Sequence, residues 1–134
     1  MPAKVFIDTN LVIYSLGQNS VKASVVAPLL ASHPFISTQV LSETANVALK
    51  KLAISFSEVR KLLRMLETSC QVAIITPSTI LHTMNIAERY QFSWFDSLIV
   101  ATALEAGCET LYTEDLQHLQ IIEGSLTVHN PFII

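Results

Sequence analysis

The chain has 134 residues and a mass of 14.8 kDa, so we expect residues 1–134 to form a single domain around one core. A net charge of −3 and a pI of about 5.7 exclude the strongly basic surface of a typical nucleic-acid binder. Charged residues make up only 14% of the sequence, where about 25% is usual. We therefore expect apolar surface that a second copy or another protein covers. The sequence shows no targeting signal, no membrane-spanning run and no cysteine motif, which predicts a cytoplasmic protein with reduced thiols.

Short strand-like runs alternate along the chain with longer runs of helical periodicity. The predicted strands are VFI at 5–7, PFIS at 34–37, VAII at 72–75, TLYT at 110–113 and LTVH at 126–129. The predicted helices cover residues 21–32, 38–52, 55–68, 78–90 and 95–106. Pro28 lies inside the first of these, so that segment is expected to be kinked or to form two helices. Strands separated by helices predict an α/β fold whose mainly parallel sheet is covered on both faces.

Three aspartates lie at the ends of predicted elements. Asp8 follows the first strand, Asp115 follows the TLYT strand by two residues, and Asp96 lies in the first turn of the helix in SWFDSLIVATAL. Ligand sites of open parallel sheets form at the carboxyl ends of the strands, so these side chains can meet at one edge. Each also has a purely structural interpretation. Asp8 can cap the LVIYSL helix, Ser93 and Asp96 have capping-box spacing, and Asp115 can start a turn or cap LQHLQ.

Glu43 adds a fourth carboxylate. It lies three residues after Val40 and four before Val47 in a predicted helix, so it shares a face with apolar side chains. Glu88 has a comparable position, so this spacing alone does not single out Glu43. If the four carboxylates converge, their repulsion raises some pKa values and a divalent cation relieves it. Oxygen ligands suit Mg²⁺ or Mn²⁺, and such a site can activate water for attack on a phosphodiester.

The same segments resemble a known family. FIDTN at 6–10, SETANV at 42–47, SWFDSLIVATAL at 93–104, LYTEDLQH at 111–118 and VHNPF at 128–132 are similar to motifs of the PIN-domain ribonucleases. The resemblance is to the VapC-like toxin members of bacterial and archaeal toxin–antitoxin pairs, and it covers residues 4–132. It implies a three-layer α/β/α PIN-like fold with a central, mainly parallel sheet. It also implies an endoribonuclease that hydrolyses RNA with a metal-activated water.

The resemblance further implies roles for individual residues. The acidic residues that would bind Mg²⁺ or Mn²⁺ and carry catalysis are Asp8, Glu43, Asp96 and Asp115. Asn10 and Thr113 match positions that support this pocket. Glu114 is an alternative to its neighbour Asp115, although the family pattern favours Asp115. The implied partners are an RNA substrate, a small antitoxin protein and a second copy of the chain, with no membrane.

Two other functions fit parts of the sequence. A phosphatase that uses Asp8 as its nucleophile usually needs a second aspartate two residues later, and Asn10 occupies that position. A catalytically silent PIN-like protein-interaction module would use the acidic residues only as caps.

Beside an apolar helix, Trp94 and Phe95 are interpreted as core or interface residues, with base stacking as the alternative. Arg89 is expected to pair with an acidic neighbour.

Overall fold

The structure is a computed structural model that describes residues 3–17 and 19–133. It has the predicted three-layer α/β/α architecture, with a six-stranded sheet flanked by helices. The strands are β1 Val5–Ile7, β2 Phe35–Ser37, β3 Gln71–Ala73, β4 Thr110–Tyr112, β5 Ile121–Ile122 and β6 Leu126–His129. The helices are α1 Thr9–Tyr14, α2 Ser20–Ala31, α3 Thr38–Lys50, α4 Phe56–Ser69, α5 Pro77–Tyr90 and α6 Trp94–Glu105.

The order of the strands in the sheet locates its ligand-binding edge. The order is β3-β2-β1-β4-β6-β5, and every neighbouring pair is parallel except β5 with β6. The chain builds outward from β1 through β2 to β3 and then returns to place β4 on the other side of β1. Open α/β sheets bind ligands at such a reversal, outside the carboxyl ends of the strands. Ile7 lies opposite Tyr112, so Asp8 and Thr113 leave the sheet side by side.

The core lies on the central strands and on α6. Phe6, Ile36 and Leu111 are fully buried, as expected for parallel strands covered on both faces. Helix α6 is buried continuously from Ser97 to Ala103, because it packs against both the sheet and α5. Asp96 therefore projects from the end of a helix that the core holds rigidly.

The two cysteines confirm the prediction that they are small core residues. Cys70 and Cys108 are both buried, and neither forms a disulfide. Burial raises the pKa of both thiols, that of Cys108 to about 11. Reactivity of cysteine depends on its thiolate form, so this environment suits packing rather than chemistry.

Beyond one-residue differences at the ends of the PFIS and TLYT runs, strands β3 and β5 differ from the predicted strands. The VAII run predicts a strand that extends to residue 75, but β3 ends at Ala73, because its neighbour β2 ends at Ser37 where α3 begins. The Ile75 amide N–H instead donates to Thr38 Oγ1 at 3.3 Å. Strand β5 has no counterpart among the predicted strands, because it is only two residues long and depends on antiparallel pairing with β6.

Pro28 does not divide its segment into two helices. Helix α2 is continuous from Ser20 to Ala31, and Pro28 lies three residues before its end with its ring exposed. Proline has no N–H to donate to the carbonyl four residues earlier, so α2 loses one main-chain hydrogen bond there and continues for only three more residues. Within the described part of the chain, no helix has both the length and the apolar character needed to cross a bilayer.

Candidate active site

Asp8 lies between the last residue of β1 and the first residue of α1. Its amide N–H continues the sheet by donating to the Tyr112 carbonyl at 3.0 Å. Its side chain is 5% exposed and accepts two hydrogen bonds of 2.7 Å, from the Thr9 amide to Oδ1 and from Thr113 Oγ1 to Oδ2. The predicted cap of the first helix is therefore present. The same residue also lines a pocket of about 230 Å³ at the carboxyl edge of the sheet.

Asp96 and Asp115 enter this pocket from two other elements. In α6 the Ser93 hydroxyl accepts a hydrogen bond from the Asp96 amide at 3.2 Å, so Ser93 provides the cap. Asp115 lies in a bend, and residues 114–120 form no helix, so the predicted cap of LQHLQ is wrong. The hydrogen-bonded turn of this segment begins at Gln117, whose carbonyl accepts from the Gln120 amide at 3.2 Å. Asn10 Nδ2 donates to Asp115 Oδ2 at 2.9 Å. The Asp115 amide donates to Thr113 Oγ1 at 3.1 Å, so Thr113 joins two of the aspartates.

We name Asp8, Asp96 and Asp115 the acidic cluster. Each contributes a carboxylate oxygen, and these oxygens all lie within 4.8 Å of one another. Burial raises the pKa of Asp8 to about 7, with the charges of Asp115 and Asp96 adding to the effect and hydrogen bonds from Thr113 and Thr9 opposing it. Burial likewise raises the pKa of Asp96, and the charge of Asp115 adds to that shift. Ionising the whole cluster therefore costs free energy in the absence of a cation.

The donor set of the acidic cluster fits a hard divalent cation. Three carboxylates at this separation can share one ion, and an ion between them reverses the cost of bringing their charges together. Carboxylate oxygens are the ligands of Mg²⁺ and Mn²⁺, and the pocket lining contains no cysteine or histidine among the described residues. The residues present thus suit Mg²⁺ or Mn²⁺ better than zinc.

Glu43 lines the same pocket from α3 but lies outside the acidic cluster. Its Oε1 accepts hydrogen bonds from Thr9 Oγ1 at 2.8 Å and from Gln39 Nε2 at 3.2 Å. The sequence motifs predicted Glu43 but neither of its donors. The available signal was spacing, since Thr9 follows Asp8 directly and Gln39 precedes Glu43 by one helical turn.

Glu114 is directed away from the pocket, although it is adjacent in sequence to Asp115. Its carboxylate accepts a hydrogen bond from Tyr14 Oη and pairs with Lys22 Nζ at 3.3 Å. Lys22 also lies 4.3 Å from the centre of the Tyr14 ring, so α1 and α2 together hold Glu114. This geometry favours Asp115 over Glu114 as the residue available to a metal.

The remaining side chains singled out in the sequence have surface positions. Trp94 is 37% exposed and Phe95 is 62% exposed, so they are not core residues, and an interface role stays a prediction. Phe95 instead lines the pocket. Arg89 pairs with Glu123 at 2.8 Å, as expected of a cation with an acidic neighbour.

Replacement of Thr113 by valine tests the link between Asp8 and Asp115. Thr113 is fully buried, and its hydroxyl donates to Asp8 and accepts from the Asp115 amide. We expect Thr113→Val to weaken Mn²⁺ binding about 10- to 100-fold, as is typical when a residue that orients metal ligands is lost. Isothermal titration calorimetry would measure this. Thr102→Val is the matched control, because it removes a buried hydroxyl that donates to the Leu98 carbonyl inside α6. Equal Mn²⁺ affinity in the two variants would contradict the orienting role.

Comparison of the sequence with protein families identifies the fold. The profile of the PIN domain matches residues 5–123. The chain belongs to the PIN-domain family. This confirms the resemblance inferred from the motifs, and the six-stranded sheet with its flanking helices is the PIN fold that the resemblance implied. A comparison with curated proteins found no match.

Solved structures share the PIN fold over most of this chain. A toxin–antitoxin complex from Klebsiella pneumoniae has a chain with a TM-score of 0.72 at 21% identity, covering 98% of this chain and 100% of its own. The sarcin-ricin loop cleaving toxin VapC20 of Mycobacterium tuberculosis has a TM-score of 0.68 at 20% identity, covering 84% and 90%. DNA-bound VapBC from Salmonella typhimurium has a TM-score of 0.67 at 19% identity, covering 97% and 99%. At these identities the likeness shows a common fold.

Proposed function

We propose that this PIN-domain protein is a metal-dependent endoribonuclease and the toxin of a toxin–antitoxin pair. The observation that carries the proposal is the acidic cluster, whose carboxylate oxygens lie within 4.8 Å of one another where the strand order reverses between β1 and β4. In this proposal Asp8, Asp96 and Asp115 bind Mg²⁺ or Mn²⁺, and Asn10 and Thr113 hold two of these carboxylates in place.

Glu43 is the fourth acidic residue of the proposed active site. Thr9 and Gln39 both donate to its Oε1, so Oε2 is the oxygen that can reach a metal or a water molecule. We assign Glu43 to metal binding and to catalysis, as a carboxylate that can accept a proton from the attacking water.

The proposed reaction is hydrolysis of an RNA phosphodiester. Bound Mg²⁺ or Mn²⁺ would activate water and offset the negative charge that develops on the phosphate. The water oxygen forms a bond to phosphorus, the bond from phosphorus to the 3′ oxygen breaks, and that oxygen takes up a proton. The products are a 3′-hydroxyl and a 5′-phosphate.

The structural neighbours support the assignment to toxins. VapC20 of Mycobacterium tuberculosis is a toxin that cleaves the sarcin-ricin loop, which supports RNA as the substrate class of this chain. The Klebsiella structure is a toxin–antitoxin complex, which supports a small antitoxin as the partner of this chain. A cytoplasmic location belongs to the same proposal, because antitoxin and RNA would both be met there.

Exposed apolar side chains support a second copy of the chain as a further partner. Ile74, Leu81 and Met84, around the start of α5, are 72%, 69% and 56% exposed. Such a patch favours coverage by another protein. We propose a homodimer, and sedimentation of the purified chain tests it. A monomer at high protein concentration would contradict this part of the proposal.

The nuclease proposal is tested by incubating the purified protein with total RNA in Mn²⁺, in Mg²⁺ and in EDTA, followed by mapping of the cut ends. We expect discrete cuts in the presence of metal, none in EDTA, and ends that carry a 3′-hydroxyl and a 5′-phosphate. Contaminating ribonucleases that attack through the 2′-hydroxyl leave cyclic phosphates, so the end chemistry distinguishes the two. Absence of cleavage in either metal would favour the catalytically silent module.

A further inference from the structure

Gln39 has a buried carboxamide beside Glu43, and half of its hydrogen-bonding capacity is unused. The residue lies in the first turn of α3, lines the pocket and is 8% exposed. Its Nε2 donates to Glu43 Oε1 at 3.2 Å and to the Phe95 main-chain carbonyl at 3.4 Å. Both partners accept hydrogen bonds, so the atom of the Gln39 carboxamide that faces them is the nitrogen and not the oxygen. Oε1 is buried and has no hydrogen-bonding partner among the described residues.

A buried carbonyl without a donor is unusual, because folded proteins satisfy nearly all such groups. Gln39 belongs to the pocket wall, so a ligand in the pocket can supply the missing donor. Oε1 is covered in this structure, so a ligand in the pocket reaches it when the amide turns about its last torsion, which is broad for glutamine. The required ligand group is a neutral O–H or N–H, which a phosphodiester lacks.

The chemistry of RNA restricts the choice of donor. Gln39 donates to the carboxylate of Glu43, and both residues line the pocket. A ligand group that binds Gln39 therefore lies close to the phosphate under attack. In RNA the 2′-hydroxyl is attached to the carbon next to the one that bears the 3′ oxygen, whereas base amino groups lie farther from the phosphodiester. DNA has no hydroxyl at this position.

We propose that Gln39 is a specificity-determining residue, whose Oε1 accepts a hydrogen bond from the 2′-hydroxyl of the ribose at the cleavage site. This interaction selects RNA over DNA. The inference rests on the proposed ribonuclease function, and it assigns to Gln39 a role separate from metal binding. Gln39 also positions Glu43 through its amide nitrogen, so its replacement affects the overall rate as well as the selection.

The experiment compares two oligonucleotides that differ by one oxygen atom. Both contain a mapped cleavage site, and one carries a single 2′-deoxyribose immediately 5′ of the cut. We expect the deoxy substitution to lower kcat/KM of the wild-type protein by about tenfold or more, because the Gln39 carbonyl is then left without a donor. In Gln39→Met, which keeps the chain length and removes the carbonyl, the two oligonucleotides should be cut at equal rates.

The ratio of the two rates is the readout, since a purely structural effect of the substitution lowers both rates alike. Gln117→Met is the matched control, because Gln117 is exposed and lies outside the pocket lining. It should keep the wild-type ratio. A wild-type protein that cuts both oligonucleotides equally, or a Gln39→Met protein that keeps the wild-type ratio, would overturn the proposal.

A binding measurement separates this inference from the proposed function. Fluorescence anisotropy in EDTA reports the preference for ribose without any chemistry. It uses an RNA oligonucleotide and a series that carries one 2′-deoxyribose at each position in turn, so it needs no mapped cleavage site. We expect wild-type protein to bind the ribose form more tightly and Gln39→Met to bind both forms equally. If no RNA is cleaved but this difference is present, the nuclease proposal fails and the role of Gln39 stands. Equal binding by wild-type protein removes the role of Gln39, whether or not RNA is cleaved.

Discussion

Asp96→Asn is expected to lower kcat/KM for RNA cleavage by more than about 100-fold, the upper end of the loss typical for residues that only orient metal ligands. Asparagine keeps the size of the side chain and one carbonyl oxygen, but it removes one of the three negative charges of the acidic cluster. The cap of α6 survives, because the Ser93 hydroxyl accepts from the main-chain amide of residue 96. We therefore expect a loss of activity without a loss of fold, measured by cleavage assays beside circular dichroism melting.

Glu58→Gln is the matched control for Asp96→Asn. Glu58 occupies the corresponding position of α4, where its main-chain amide donates to the cap residue Ser55 at 3.2 Å. It is exposed and outside the pocket lining, so the control removes the same charge from the same turn of a helix. Glu58→Gln should retain wild-type cleavage. If kcat/KM of Asp96→Asn lies within a few-fold of that of this control, Asp96 is not needed for catalysis.

The metal-free protein is expected to lose stability as the pH rises from about 4 to about 7, because of Asp8. Burial raises the pKa of Asp8 from 3.8 to about 7 in the folded state. Between these values the unfolded chain releases the proton and the folded protein keeps it. The folded state then binds more protons, so the free energy of unfolding falls with rising pH. At about 1.4 kcal/mol per pH unit, this contribution reaches about 4 kcal/mol at most.

Divalent metal and Asp8→Asn should both change this pH profile. Metal binding requires the ionised carboxylate, so Mn²⁺ should raise the melting temperature more at about pH 8 than at about pH 5, where protons compete for Asp8. Asp8→Asn has no proton to lose and should be more stable than wild-type protein in EDTA at the higher pH. Thermal melts of both proteins in EDTA and in Mn²⁺ measure these effects. Parallel pH profiles of the two proteins in EDTA would contradict the raised pKa.

Much of the architecture could be predicted because it follows from local patterns. The LTVH run became β6 and VFI became β1 without change, since both are short apolar runs between polar residues. The VAII run predicts a strand that ends two residues too late, because Ile74 and Ile75 suit a strand. The end of β3 is instead decided by the end of β2, beyond which β3 has no strand to pair with. A sequence pattern does not report the length of a distant neighbour.

The candidate site likewise contains some features that the sequence predicts and others that depend on contacts between distant segments. Asp8, Asp96 and Asp115 could be selected from the sequence, because each lies at an element end and a parallel sheet collects such ends at one edge. The orientation of Glu114 could not, since it depends on Tyr14 and Lys22, which are about a hundred residues away in sequence. The hydrogen bonds of Gln39 depend likewise on Phe95 in another helix.

By itself, the sequence determined the class of fold, because short strand runs alternate with helical ones, and it placed acidic residues at the ends of strands and helices. Only the tertiary structure decided that three carboxylates share one pocket, that Glu43 lies beside them and that Glu114 is directed elsewhere. The physical reason is that local periodicity arises from neighbours along the chain. Distances between side chains arise from strand register and helix packing, which join segments far apart in sequence.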